Sequence, residues 1–174
     1  TAIGSDVPGY AWGLVSAMGQ QGIKYLNTAP NNNHRLGYIY LLGNKPFYWV
    51  DPSGEHRVLC WMVPCSYIHF WGGGDRDVGS AVLDFIDHYL VAKDYPYEIA
   101  QIRHEIGGDN GHPDPGLAGQ VKAWNEEYAY PKIIISTNTR LFSEFEDRYG
   151  KDLPELSGDL TPYWEDGAAS TSAD

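Results

Sequence analysis

Two hydrophobic periods alternate along this chain, and that alternation limits the folds open to it more than any single motif does. Ala11, Leu14, Val15 and Met18 recur at helical spacing and Gly22 stands where such a helix would stop, so residues 9–21 are expected to form an amphipathic helix. A short strand, Ile23 to Thr28, should follow. Farther on, Val78, Val82, Phe85, Ile86 and Tyr89 share one helical face behind Asp77, a residue suited to capping. Leu117, Val121, Trp124 and Tyr128 mark a second stripe, with Asp114 as its expected N-cap and Pro115 in its first turn. Leu141, Phe142, Phe145 and Tyr149 mark a third, closed by Gly150. Between the stripes, residues 97–106 read as a strand, and Lys132 to Ser136 reads as a buried parallel strand. Phe47 to Val50 and Val58 to Val63 flank Asp51-Pro-Ser-Gly54 as a hairpin would. Helices that alternate with strands bury both kinds of apolar face when the helices cover a largely parallel sheet, so the expected class is α/β with one β-hairpin insertion. No internal repeat and no linker interrupts the pattern, and residues 1–174 are expected to form a single domain.

Charge narrows the partners. Twelve Lys and Arg stand against 23 Asp and Glu, a formal net charge of −11. The basic residues are scattered, never more than two in any five-residue stretch, and so give no cluster able to displace counterions from phosphates. Nucleic acid and anionic membrane surfaces are set aside on this ground. With 43% hydrophobic and 14% aromatic residues the chain has the apolar surface for a core. No window approaches the roughly 20 apolar residues that span a bilayer. The first six residues lack the basic and apolar regions of a secretion signal, so a soluble chain of open compartment is expected. Cys60 and Cys65 are five apart, an odd spacing that turns them to opposite faces of a strand, so no disulfide between them is expected.

In α/β folds ligands gather at loops that follow the carboxyl ends of strands. Ser5-Asp6-Val7-Pro8-Gly9 occupies such a place ahead of the first helix, yet only five residues precede Asp6, too few for a full strand by this reading. The chain is therefore expected to begin inside a βα unit, as a piece of a longer catalytic domain. A second loop, Ile106 to Asp114, carries Asp109 among glycines that let a ligand approach the backbone closely. Asp6 and Asp109 also have plain readings, as a solvated acid near a terminus and as an Asx-turn acid. Two carboxylates facing across a pocket are the arrangement that cleaves glycosidic bonds, and Trp or Tyr rings stack on pyranose faces. Trp12, Trp61, Tyr67 and Trp71 lie near inferred loops or strand ends, whereas Trp124 belongs to a core stripe. The six histidines show no H-E-x-x-H and no Cys/His zinc spacing, and neither G-x-S-x-G, a Walker A motif nor a dinucleotide fingerprint is present.

The order of several segments resembles the catalytic domain of family 38 glycoside hydrolases, the zinc-dependent α-mannosidases. The segments are Asp6-Val-Pro-Gly9, Gln21-Gly-Ile-Lys24, Asp109-Asn-Gly-His-Pro-Asp-Pro-Gly116, Val121-Lys-Ala-Trp-Asn-Glu-Glu-Tyr128, Tyr130-Pro-Lys-Ile-Ile-Ile-Ser-Thr137, Leu156-Ser-Gly-Asp-Leu160 and Thr161-Pro-Tyr-Trp-Glu-Asp-Gly167. The resemblance implies part of an irregular (β/α) barrel with its first strands missing. It implies Asp6 as catalytic nucleophile and zinc ligand, Asp109 as acid/base, and Tyr67 as a sugar contact. Trp12 is taken as a second substrate-binding residue. The implied partners are a mannose-containing glycan and the remainder of a parent polypeptide, and the implied chemistry is retaining hydrolysis of α-linked mannose.

The chain departs from the family at three places. The family's nucleophile loop reads Asp-Pro-Phe-Gly, whereas Asp6-Val7-Pro8-Gly9 lacks the Phe and shifts the proline. An arginine expected after the next strand is replaced by Ala29-Pro-Asn-Asn32. The family's His-x-Asp zinc pair lies upstream of the nucleophile, and a further zinc histidine lies beyond the barrel. The expectation is therefore that zinc serves the intact enzyme while this chain alone binds none and is inactive. A non-catalytic carbohydrate-binding domain and a metal-dependent polysaccharide deacetylase are the alternatives.

Overall fold

A computed structural model of the chain describes residues 1–7, 9–30, 44–63, 70–72, 77–106 and 112–160. The chain divides into two compact units, Thr1–Tyr67 with Glu144–Asp174, and Ile68–Ser143.

In the first unit, β1 (Ala2–Val7) is a six-residue strand paired parallel to β2 (Tyr25–Pro30), with Ala2 opposite Leu26 and Gly4 opposite Thr28. This corrects the expectation that so short a segment makes no strand. Strand formation needs a neighbouring edge more than length, and β2 supplies that edge. Helix α1 (Gly13–Gln20) connects the two strands and buries Val15 and Met18, while Ala11 precedes the helix and is exposed. It stops as its sequence suggests: Gly22 takes φ 68°, the Ile23 N–H bonds back to the Met18 carbonyl at 2.9 Å, and the Gln21 N–H to the Ala17 carbonyl at 3.3 Å.

The hairpin forms where expected, with β3 (Phe47–Val50) antiparallel to β4 (Arg57–Met62). Strand β4 also pairs parallel to β2, and β7 (Glu155–Leu156) pairs parallel to β3, giving the order β1-β2-β4-β3-β7. The sheet is open among the described residues: β1 pairs only with β2 and β7 only with β3. It is thus a mixed, mostly parallel sheet and not a closed barrel. Val15, Met18, Leu26, Phe47, Trp49, Val58, Cys60, Met62 and Leu160 form one core cluster. The alternate residues Leu59 and Trp61 of β4, and Val63 just beyond it, are fully buried as well, and the Trp61 ring lies 4.7 Å from that of Phe145. Phe145 belongs to helix α4 (Asn138–Tyr149), the third expected stripe. From the same helix Glu146 accepts hydrogen bonds from the Tyr25 hydroxyl at 2.8 Å and the Tyr48 hydroxyl at 2.7 Å. Burial, first, and this shared carboxylate push both phenols up to about 12.

The second unit holds a two-stranded parallel sheet, β5 (Phe70–Gly72) with β6 (His104–Ile106). Helix α2 (Val78–Phe85) begins at Asp77, whose carboxylate accepts the Ser80 N–H at 2.9 Å. Val78 and Val82 pack with Val121 and Trp124 of α3 (Leu117–Glu127), and Ile86, Ile102, Leu117 and Ile133 close around them. Gly116, not Asp114, occupies the N-cap position; Asp114 holds the preceding turn by accepting the Gly116 N–H at 2.7 Å.

Two expected strands differ. Of residues 97–106 only His104–Ile106 is strand. Lys132 to Ser136 is not a strand, and Ile134 and Ile135 are 66% and 57% exposed. The side-chain amide of Asn125 takes the place a neighbouring strand would fill, accepting the Ile133 N–H at 2.9 Å and donating to the Ile133 carbonyl at 2.8 Å. Apolar runs record a preference for burial, but a strand also needs a ladder partner.

Candidate functional site at the carboxyl edge of the sheet

Strands β1, β2 and β4 run in the same direction, so Val7, Pro30 and Met62 end at one edge. Asp6 lies at that edge in an unusual way. Ser5 pairs with Ala29 and Val7 with Pro30, which leaves Asp6 as the extra residue of a β-bulge, and its φ is 58°. The left-handed region is disfavoured for residues with a Cβ and is tolerated best by Asn and Asp. The bulge breaks the in-out alternation of β1, so that Ser5 and Asp6 are both exposed in succession. A pleated strand would have sent one of the two side chains inward; the bulge turns the carboxylate outward at the strand end, ahead of α1.

The segment between β1 and α1 is anchored on both sides. Tyr10 and Leu160 exchange backbone hydrogen bonds of 2.7 and 3.0 Å. The Thr28 hydroxyl donates to the Tyr10 hydroxyl, and the Tyr10 ring lies so close over Gly4 that a Cβ there would meet it at 2.9 Å. Trp12, the expected sugar-stacking residue, is half-buried against the core cluster. Its indole N–H donates to the Val50 carbonyl at 2.7 Å, and its backbone N–H donates to Asp159 Oδ1 at 2.7 Å. Val50 pairs with Arg57, the first residue of β4. The indole tip therefore reaches toward the amino end of β4, away from the edge that carries Asp6. Asp109 and Tyr67 lie outside the described residues, as do Cys65, His34 and His69.

Polar residues gather beneath this edge. Asn27 is 3% exposed, and Thr28 and Asn44 are fully buried. Composition gives no sign of this burial, because Asn27 and Thr28 are the polar end of the expected strand and no pattern singles out Asn44. A positive φ at Asn44, 57°, is the kind of signal an Asn in a loop hints at but does not prove.

At the opposite end of the hairpin Asp51 has a different task. It is 3% exposed and accepts Ser16 Oγ at 2.8 Å, Ser53 Oγ at 2.9 Å and the His56 N–H at 3.2 Å. Burial alone would raise this carboxyl, but the bonds from Ser16, the His56 backbone, Ser53 and the Gly54 backbone outweigh it and hold it at about 2. Ser16 donates straight to the carboxylate with no imidazole between, so the cluster ties the turn to α1 and is no nucleophilic triad. Cys60 is a fully buried free thiol that burial pushes up, which removes it as a nucleophile.

Among the described residues no three His, Cys, Asp or Glu side chains converge as a metal site. Asp6 belongs to no such group among them, and the described residues do not by themselves fit a zinc ion, which needs three or four ligands. The chain matches no known protein-family model and no curated protein sequence.

Proposed function

We propose that this chain is part of the catalytic domain of a retaining glycosidase of the α-mannosidase kind, its open sheet forming one arc of an irregular (β/α) barrel. The observation that supports the reading best is Asp6: an aspartate on a left-handed bulge, at the carboxyl end of a parallel strand, directly before a helix. Strained backbone of this kind gathers at functional sites, and this edge of a parallel sheet is where α/β enzymes hold their chemistry. The segment order from Asp6 to Asp166 supports the same assignment.

In this reading the Asp6 carboxylate attacks the anomeric carbon of an α-linked mannose while Asp109 gives its proton to the departing oxygen. Asp109 then takes a proton from water, the water oxygen displaces Asp6, and mannose leaves with its configuration retained. Zinc belongs to the intact enzyme in the resemblance; it is not proposed for this chain, and the chemistry above uses the two carboxylates alone. The chain by itself is expected to be inactive toward an aryl α-mannoside, and measurable turnover would overturn that part.

The deciding experiment incubates the complete catalytic domain with a 5-fluoro-mannosyl fluoride, which traps the glycosyl ester, and maps the labelled peptide by mass spectrometry. An ester on Asp6 is the expected result. A label on another carboxylate, or none at all, would remove Asp6 as nucleophile.

A further inference from the structure

The chain leaving β1 does not simply run on past Asp6; it turns back onto the strand it has left. The Tyr10 ring lies over Gly4, whereas the six residues from one to the other, drawn out fully, would span about 20 Å. A single side chain closes that distance, so the chain reverses between Gly4 and Tyr10, and the Asp6 bulge with its φ of 58° lies inside the reversal.

Three contacts hold the returning end. Gly4 stands opposite Thr28 in the ladder between β1 and β2, and the fully buried Thr28 hydroxyl donates to the Tyr10 hydroxyl. The Tyr10 ring occupies the space that a Cβ on Gly4 would fill, so the glycine is what admits it. At the backbone, Tyr10 exchanges bonds of 2.7 and 3.0 Å with Leu160, itself part of the core cluster. A left-handed angle at a residue with a Cβ persists only where its surroundings over-determine it. The ladder fixes Ser5 opposite Ala29 and Val7 opposite Pro30, but bulges exist with the extra residue right-handed as well as left-handed, so pairing alone leaves the angle of Asp6 open.

We propose that Tyr10 makes the choice. It is a positioning residue: by closing the chain onto Gly4 and Thr28 it holds Asp6 left-handed and so keeps the carboxylate aimed outward at the strand end. The inference rests on the glycosidase reading and gives that site the residue that fixes its nucleophile before the sugar arrives. A carboxylate already aimed needs no rearrangement at the moment of attack, and a misplacement of about 1 Å can cost on the order of 100-fold in rate.

Three variants test this with two readouts. Tyr10→Ala removes the anchor, Gly4→Ala keeps the tyrosine but pushes its ring off the strand, and Tyr10→Phe keeps the ring while giving up the hydroxyl bond; circular dichroism and melting temperature establish that each folds. The Cα and Cβ chemical shifts of Asp6 in the full chain report its backbone angle. Labelling of the complete catalytic domain with the 5-fluoro-mannosyl fluoride separates the rate constant of ester formation from the concentration at half-saturation. Left-handed shifts are expected in the parent and in Tyr10→Phe, and their loss in both alanine variants. In those two, ester formation on Asp6 should slow at least about tenfold with half-saturation within about twofold, while Tyr10→Phe stays within about threefold of the parent. Unchanged shifts or an unchanged labelling rate in either folded alanine variant would overturn the role of Tyr10 and leave the glycosidase reading standing. Equal losses in Tyr10→Phe and Tyr10→Ala would overturn it as well, since the ring over Gly4 would then hold nothing. No ester on Asp6 in the parent domain would overturn the reading, and the role of Tyr10 with it.

Discussion

Asp6 and Asp51 show how one residue type serves opposite ends. Asp51 is held by four hydrogen bonds and is ionised across the ordinary pH range; Asp6 is exposed on a left-handed backbone angle that still carries a Cβ penalty. Relieving that angle should stabilise the fold. Asp6→Gly is expected to raise stability by up to about 1 kcal/mol in denaturant unfolding, since glycine enters the left-handed region without the Cβ penalty, while abolishing the glycosyl-ester label. Unchanged or lowered stability would mean the bulge carries no strain. For Asp51 the sign follows from its depressed value. Its contribution is fully present above the unfolded carboxyl range near pH 4 and is lost as pH falls toward about 2. An acid titration followed by circular dichroism should therefore show a destabilising limb between those values that flattens in Asp51→Asn. At this scale Asp6 was legible by position alone. Asn44 was not, because burial of a polar side chain depends on neighbours distant in sequence, here Trp61.

At the scale of elements, patterns with a local cause were readable. The α2 cap at Asp77, the stop at Gly22 and the hairpin turn each depend on residues within six positions of one another. The β1 bulge and the fate of Lys132 to Ser136 were not readable, since each is decided by pairing: β1 found an edge, and the isoleucine run found only the side chain of Asn125. The contact between sheet and α4 offers the clearest energetic test. Phe145 is fully buried, with ring contacts to Trp61 at 4.7 Å and Tyr149 at 4.9 Å. Phe145→Ala should cost about 3–5 kcal/mol by removing buried surface and leaving a cavity. A loss below about 1 kcal/mol in chemical denaturation would show that α4 does not anchor this face.

For the molecule as a whole the α/β class was legible from alternating periods, while sheet order was not. Nothing in the sequence of Glu155-Leu156 announces a strand, yet these two residues complete the sheet beside β3. Residues 152–160 act over long separations: the Tyr48 N–H bonds the Pro154 carbonyl at 2.9 Å, the Trp49 indole bonds the Gly158 carbonyl at 2.9 Å, and Leu160 enters the core. Removing residues 152–174 is therefore expected to abolish cooperative unfolding of the first unit, with thermal melts monitored by tryptophan fluorescence becoming broad. A sharp transition near the parent temperature would contradict this.

The backbone N–H of Trp12 is met by a carboxylate 147 residues downstream. During synthesis the first βαβ unit emerges ahead of these partners: the start of α1 lacks that acceptor until 147 further residues have left the ribosome, and β3 lacks its outer neighbour until β7 has followed. Contacts of such span slow folding, because a long loop must close before they add any stability. These early strands are thus born with an unsatisfied helix start and an uncovered apolar sheet face, which makes the nascent state, more than the finished one, the stage exposed to chaperones and aggregation.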